Sequence, residues 1–205
     1  MKYSDSDSLL IWQEKTRTDL VETPVFSLVQ SLRRSSFGQE RTYYVMEAPD
    51  WVNLIALTRD SSGRDCFVMV RQFRHGSNCL SLEFPGGVVD AGETPGQAAL
   101  RELREETGYQ VRQGASRGAM EFLGSVNPNP ALMNNRCHTF FAPAVEKVAE
   151  PAPESDEHLE VCLVPLEELL AGERAEEFDH AMMHVALGFL LGRLGTPDIS
   201  RLTNR

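Results

Sequence analysis

Three carboxylates, Glu102, Glu105 and Glu106, crowd into the run RELREE inside the stretch Thr94–Gly108, TPGQAALRELREETG. Residues three and four apart are neighbours on a helix. A helix here therefore puts Ala98, Glu102, Glu105 and Glu106 on one side and turns the apolar pair Ala99 and Leu103 toward a core. Each like-charge pair costs roughly a few tenths of a kcal/mol on an exposed helix, and partial burial raises that cost and the carboxyl pKa values. A hard divalent cation removes the conflict, and Mg²⁺ favours carboxylate oxygens together with the phosphate oxygens of a substrate. Taken alone, a glutamate-rich helix is more often just a solvated face. The case for chemistry rests on what surrounds it.

The helix is bounded by local signals. Thr94 is a good N-cap, Pro95 suits the first helical position, Gln97 completes a capping box, and Gly108 is suited to end the helix. These predict a helix over 95–107, with Arg101 able to reach Glu105. Upstream stand Phe84-Pro85-Gly86-Gly87 and then Glu93. Two glycines let the backbone turn tightly and approach a ligand closely, and Val88–Glu93 returns the chain to the helix start. No Gly-Lys-Ser/Thr follows, so this is not a Walker loop.

The elements that must position these groups read as an α/β layered domain around a mixed sheet. VFSLVQSLRR and RTYYVMEA read as antiparallel strands joined by a turn at Ser35–Gly38, after a frayed start of about eight residues. Trp51–Thr58 is a buried strand, Cys66–Gln72 another, and Leu80–Phe84 a short extended piece. Glu121–Val126, His138–Val145 and Leu159–Val164 are further strands. Asn127–Arg136 and the acidic Glu146–Glu157 are loops. A helical turn begins at Pro165, and a longer helix covers Glu176–Leu194. The organisation expected is an N-terminal β-rich segment, 1–48, and a main domain, 49–205.

Composition narrows the partners. The formal net charge is −10, which argues against a nucleic-acid backbone or an anionic membrane as main partner, since both need a basic footprint. A small anionic substrate remains open through local arginines and a cation. Four cysteines, Cys66, Cys79, Cys137 and Cys162, form no CxxC pair, so neither a zinc site nor a disulfide scaffold is indicated, and reduced thiols in a cytoplasmic protein are expected. The N-terminus has no long apolar run, so no signal peptide or anchor is expected. His180 and His184 have zinc-helix spacing, but without a third ligand they are read as packing or surface residues.

Together, Gly87-x5-Glu93-x7-Arg101-Glu102-Leu103-x-Glu105-Glu106-x-Gly108-Tyr109 resembles the Nudix box at every fixed position, with Tyr109 where an aliphatic residue is commoner. That resemblance implies an α/β/α sandwich and hydrolysis of a pyrophosphate linkage. It implies Mg²⁺, with Mn²⁺ as substitute, held by the Gly86 carbonyl, Glu102 and Glu106, with Glu105 as further ligand or base. Glu93 and Arg101 would orient the cluster. Val70-Arg71-Gln72-Phe73-Arg74-His75-Gly76 followed by Leu82-Glu83-Phe84-Pro85-Gly86-Gly87 is similar to the ADP-ribose and nucleoside-diphosphate-sugar pyrophosphatase branch, which usually has alanine at the position of Gly86. The branch resemblance implies Arg74 and Glu83 near the pyrophosphate, Arg71 or Arg74 binding phosphate, and Pro128 or Pro130 shaping the sugar or base pocket. It also implies a general base from the acidic loop, best matched by Glu157, with Glu154 and Asp156 as alternatives and Glu105 as a competitor. The N-terminal segment would make a homodimer, and the substrate would be a small nucleotide sugar. Nucleoside triphosphates, dinucleoside polyphosphates, or a catalytically silent nucleotide sensor are the competing readings.

Overall fold

Ten residues without apolar alternation, Gln13–Glu22, make β1, and every one of them is exposed. Nothing in their own sequence marks a strand; they are one because β2 (Ser27–Arg34) pairs with them antiparallel, and β2 in turn pairs with β3 (Glu40–Glu47). The expected turn joins β2 to β3: Ser35 N–H donates to the Gln39 carbonyl at 2.8 Å, and Gly38 takes φ +82°. The start expected to be frayed holds a 3₁₀ turn at Asp5–Leu10. The β1–β2 register slips twice, leaving Lys15 and Leu20 as extra residues of β-bulges.

The computed structural model describes residues 5–112, 114, 119–153 and 157–195. Its contacts divide into two compact units, one of Met1–Pro49 with Asn127–Arg136, the other of Asp50–Val126 with Cys137–Arg205. Asn127–Arg136 is attached to the first unit by a parallel bridge between Met46 and Met133 and a hydrogen bond from Met46 N–H to the Leu132 carbonyl, 2.7 Å.

The second unit is built on β4 (Trp51–Arg59), β5 (Asp65–Arg74), β6 (Cys79–Glu83), β7 (Tyr109–Val111), β8 (Glu121–Val126), β9 (Cys137–Ala142), β10 (Val145–Lys147) and β11 (Leu159–Pro165). Six of these form a mixed sheet in the order β11-β5-β4-β9-β8, with β6 also on β5; β4 and β9 run parallel and the other pairs antiparallel. The helix α1 (Pro95–Thr107) covers one face through Ala98, Ala99 and Leu103, packed on Val52, Leu54, Ala56 and Val68. The helices α2 (Leu166–Leu170) and α3 (Ala181–Arg193) cover the other, where Leu169, Met183, Ala186 and Leu190 meet Ile55, Phe67 and Met69. The central strand β4 is thus buried on both sides, which is why its sequence is a continuous apolar run.

Most strand ends shift by a residue or two from expectation, and two elements are redrawn. The run His138–Val145 is two strands: Pro143, which cannot donate to a ladder, separates β9 on β4 from β10 on β7. The last helix begins at Ala181, not Glu176. Upstream of it the Glu177 carbonyl accepts the Leu82 N–H at 2.8 Å, and Phe178 is buried edge-on against Phe84 with centroids 5.8 Å apart. Tertiary packing takes that segment away from the helix its composition favours. Among the described residues, no helix is long and apolar enough to cross a membrane.

The helix α1 has the boundaries its caps predict. Thr94 Oγ1 accepts the Gln97 N–H at 3.3 Å, Gln97 Oε1 accepts the Thr94 N–H at 2.9 Å, and Gly108 closes the helix at φ +73°. Thr94→Ala removes the hydroxyl that accepts the Gln97 N–H and leaves the bond from the residue-94 N–H to Gln97. The expected loss is about 1 kcal/mol, read as a lower urea midpoint with unchanged m-value.

Candidate active site

Residues Pro85–Gly87 run beside β4. Val52 N–H donates to the Gly87 carbonyl and Leu54 N–H to the Pro85 carbonyl, both at 2.9 Å. A Cβ on Gly86 would sit 2.1 Å from the Val52 carbonyl oxygen, and one on Gly87 would sit 2.3 Å from Glu102 Oε1. So the two glycines answer to close approach. Gly86 fits against the strand with no room for the alanine methyl usual in the sugar-diphosphate branch, and Gly87 leaves the space that the Glu102 carboxylate fills.

Glu102 and Glu106 are 9% and 2% exposed on the face of α1 turned to this segment. The Gly86 N–H donates to Glu106 Oε2 at 2.9 Å. Burial pushes the Glu106 carboxyl up to about 8; repulsion from Glu102 and Glu157 adds to this, and the Gly86 N–H and Arg74 oppose it. Glu102 is raised as well, first by burial, with Arg101 opposing and Glu157 and Glu105 adding.

One guanidinium organises the cluster. Arg101 donates to Glu93 from Nε at 3.2 Å and Nη2 at 3.1 Å, to Glu102 at 2.9 Å and Glu105 at 3.2 Å from Nη1, and to the Val88 carbonyl at 3.0 Å. It holds the Glu93 carboxyl below its ordinary range. Glu105 is more open than its neighbours, at 43% side-chain exposure. The carbonyl of Glu105 accepts the Ala152 N–H at 2.7 Å, and the Gly108 carbonyl accepts those of Val148 and Ala149, so the acidic loop starts out tied to the end of α1. Further on, Glu157 is exposed just before β11, and its charge acts on Glu102, Glu106 and Arg74. Glu154 and Asp156 lie outside the described residues.

The two arginines of β5 separate by parity. Residues of opposite parity face opposite sides of a strand. Val68 packs under α1, whereas Phe67 and Met69 pack under α3. Arg74 shares the α1 face and Arg71 does not. Arg74 forms a fork with Glu83, Nε–Oε1 2.7 Å and Nη2–Oε2 2.6 Å, and Glu83 is 2% exposed. Burial would push Glu83 up, but the Arg74 bonds and charge outweigh it, with help from His180 and a Ser81 bond, and leave it below the usual carboxylate range. Arg71 is tied instead to Glu177 at 2.8 Å and Glu160 at 3.6 Å. Pro130 is exposed in the segment that belongs to the N-terminal unit. His180 stands at the start of α3, and His184 packs on the Phe178 ring at 4.9 Å, as a packing residue would. Ser81 beside Glu83 is not singled out by the sequence, and His180, noted for its spacing from His184, is not linked to Glu83 by it. Ser81, two residues before Glu83 on one strand face, was findable by parity; His180 needed the fold.

Among the described residues, no three His, Cys, Asp or Glu side chains converge into a cage for an ion. The donor set still fits a hard divalent cation that completes its shell with phosphate oxygens: two desolvated, mutually repelling carboxylates whose strain a positive charge relieves. Glu102 and Glu106 would hold it. The sign of the pH effect follows. Glu106 titrates near 8 in the folded chain against an ordinary 4.5. The folded state therefore favours the proton, and stability falls as pH rises from about 4.5 through about 8. In chelator, the urea midpoint should drop over that range, by up to a few kcal/mol of stability (~1.4 per pKa unit). Glu106→Gln should flatten the drop, and a divalent cation should raise the midpoint more at high pH than at low. A wild-type profile that matches the variant's would contradict this.

Comparison with known proteins agrees with the box. The NUDIX domain model matches residues 50–185. The chain is 33% identical over 145 residues to the ADP-sugar pyrophosphatase of Mus musculus, a match covering 65% of this chain and 64% of that protein. It is 29% identical over 154 residues to the ADP-ribose pyrophosphatase of Bacillus subtilis (strain 168), covering 75% and 78%. A solved structure described as an ADP compounds hydrolase superposes with TM-score 0.74 at 20% identity, over 90% of this chain and 96% of that one, and carries the fold. The helix, its caps, its paired glycines and the matched span lead to one conclusion: the chain belongs to the NUDIX domain family.

Proposed function

We propose that this protein hydrolyses the pyrophosphate bond of nucleoside diphosphate sugars, with ADP-ribose the first substrate to test, giving a nucleoside monophosphate and a sugar phosphate. The observation that carries this reading is the Arg74–Glu83 fork on the same sheet face as Glu102 and Glu106. It sets a cation beside a cluster of carboxylates, as a site for a phosphate-bridged cation requires. The names of the mouse and Bacillus relatives support the sugar-diphosphate class. Mg²⁺, with Mn²⁺ as substitute, would neutralise phosphate charge and lower the pKa of the attacking water when bound at Glu102, Glu106 and the Gly86 carbonyl.

The chain's own residues do the rest. Arg74 meets a phosphate oxygen with the N–H groups that Glu83 does not use. Arg101 keeps the glutamates in place. Glu157, exposed and near enough to act on the buried carboxylates, takes the proton of the attacking water; Glu105, the more open helix glutamate, is the alternative base. The substrate is a small diffusible molecule of the cytoplasm and not a nucleic acid.

A homodimer through the N-terminal sheet accompanies this reading. Strands β1 and β3 are its two edges, and Leu20, Val21, Tyr43 and Tyr44 are exposed on it. Unpaired edges with apolar side chains are commonly covered by another chain.

Glu106→Gln keeps the shape and removes the charge, so kcat should fall on the order of 10²-fold or more with the fold intact. Activity within a few-fold of wild type would refute the assignment. Across a panel of diphosphate sugars and nucleoside triphosphates, the diphosphate sugars should give the higher kcat/KM. A triphosphate preferred about tenfold, roughly 1.4 kcal/mol in transition-state binding, would overturn the substrate class. Light scattering at micromolar concentration should give twice the chain mass, and a monomer mass would remove the dimer.

A further inference from the structure

The N-terminal unit contains a cleft of about 410 Å³, lined by Ser8, Lys15, Arg34, Ser35 and Ser36 among others. We infer that this cleft is a binding site for the phosphate group of a small phosphomonoester, held between Lys15 and Arg34 with the Ser35 hydroxyl as a further donor.

Three observations carry this. First, Lys15 is the extra residue of a β-bulge: Glu14 pairs with Arg33 and Thr16 with Leu32, leaving no partner for the residue between. A bulge costs ladder pairing and re-aims one side chain, and bulges concentrate next to functional sites. Here the side chain it serves is a cation lining the same cleft as Arg34. Second, Arg17 and Arg33, the other arginines of β1 and β2, are paired with carboxylates and these two cations are not. Arg17 is paired with Glu47 at 2.7 Å and Arg33 with Glu14 at 3.6 Å. Among the described residues, Lys15 and Arg34 have no carboxylate in ion-pair distance, although Glu40 lies opposite Arg34 in the register. In a chain of net charge −10, two adjacent uncompensated cations make a local anion site. Third, Ser35 is 8% exposed, and its Oγ accepts the Gln39 N–H at 3.1 Å, so its proton remains to donate into the cleft. The Ser36 hydroxyl donates to the Leu9 carbonyl at 3.0 Å, which fastens the 3₁₀ turn that walls one side.

Lysine, arginine and a hydroxyl donor meet a phosphate dianion with charge-assisted hydrogen bonds. The volume falls in the range of small-molecule sites and leaves room for a sugar or nucleoside beyond the phosphate.

The test uses the full-length ¹⁵N-labelled chain in chelator, so that no cation recruits phosphate to the helix glutamates. Inorganic phosphate, ribose 5-phosphate and AMP are titrated separately to about 5 mM, a range that captures weak specific binding. Saturable amide shifts at Gln13, Lys15, Ser35 and Ser36 are expected. A Lys15→Gln/Arg34→Gln variant should weaken them at least tenfold while the rest of the spectrum is unchanged. Should that double variant unfold, Lys15→Gln alone provides the same comparison, because an exposed bulge residue carries no packing. Absence of saturable shifts with all three probes, or equal affinity in wild type and variant, overturns the site.

Discussion

The hydrogen bond from the Gly86 N–H to Glu106 joins the segment beside β4 to the helix α1. The rest of the site depends on it. It is formed by a backbone that lies so close to Val52 that no side chain fits at Gly86, and next to a glycine whose missing side chain is replaced by the Glu102 carboxylate. Two acidic groups are thereby buried within a structure that offers Glu106 one amide and the charge of Arg74, and offers Glu102 an arginine it shares with Glu93 and Glu105. The cluster is under-neutralised by construction, and the raised titration of Glu102 and Glu106 is the measure of that. A stable protein keeps such a conflict only where something else relieves it, which makes the arrangement a statement about chemistry and not about folding.

Arg101 limits the damage. By reaching Glu93, Glu102, Glu105 and the Val88 carbonyl, it fastens the loop after Gly87 to the helix that follows. The half-open setting of Glu105 and the exposed one of Glu157 then differ from the buried pair by environment alone. Four residues of one chemical type are sorted by burial into the buried pair proposed to hold a cation and the open pair proposed to move a proton.

What was legible in the sequence was what is determined locally. The ends of α1 follow from Thr94, Gln97 and Gly108, whose side chains or missing side chain act within one helical turn. The central strands follow from their apolar runs. What was not legible depends on partners distant in sequence. Strand β1 has no amphipathic pattern and exists through β2. The residues Glu176–His180 have helical composition, yet Phe178 is drawn into the core under Phe84. Arg71 and Arg74 look alike in RQFR, and their difference appears only once the register of β5 against β6 and β11 says which face each occupies.

The Arg74–Glu83 fork has a stereochemical consequence. Two of the guanidinium's edges of donors are distinguishable, and Glu83 occupies the one made by Nε and Nη2. Because Glu83 is itself immobilised by burial, the plane of the guanidinium is fixed, and only its outer rim is presented to an incoming molecule. A flexible lysine at this position would follow its ligand; this arginine obliges the ligand to follow it. The conformational ordering is completed when the chain folds, so in the proposed function an arriving phosphate would meet a donor whose direction is already set, and molecules that offer oxygen atoms along any other direction would be turned away by angle before size or charge is consulted.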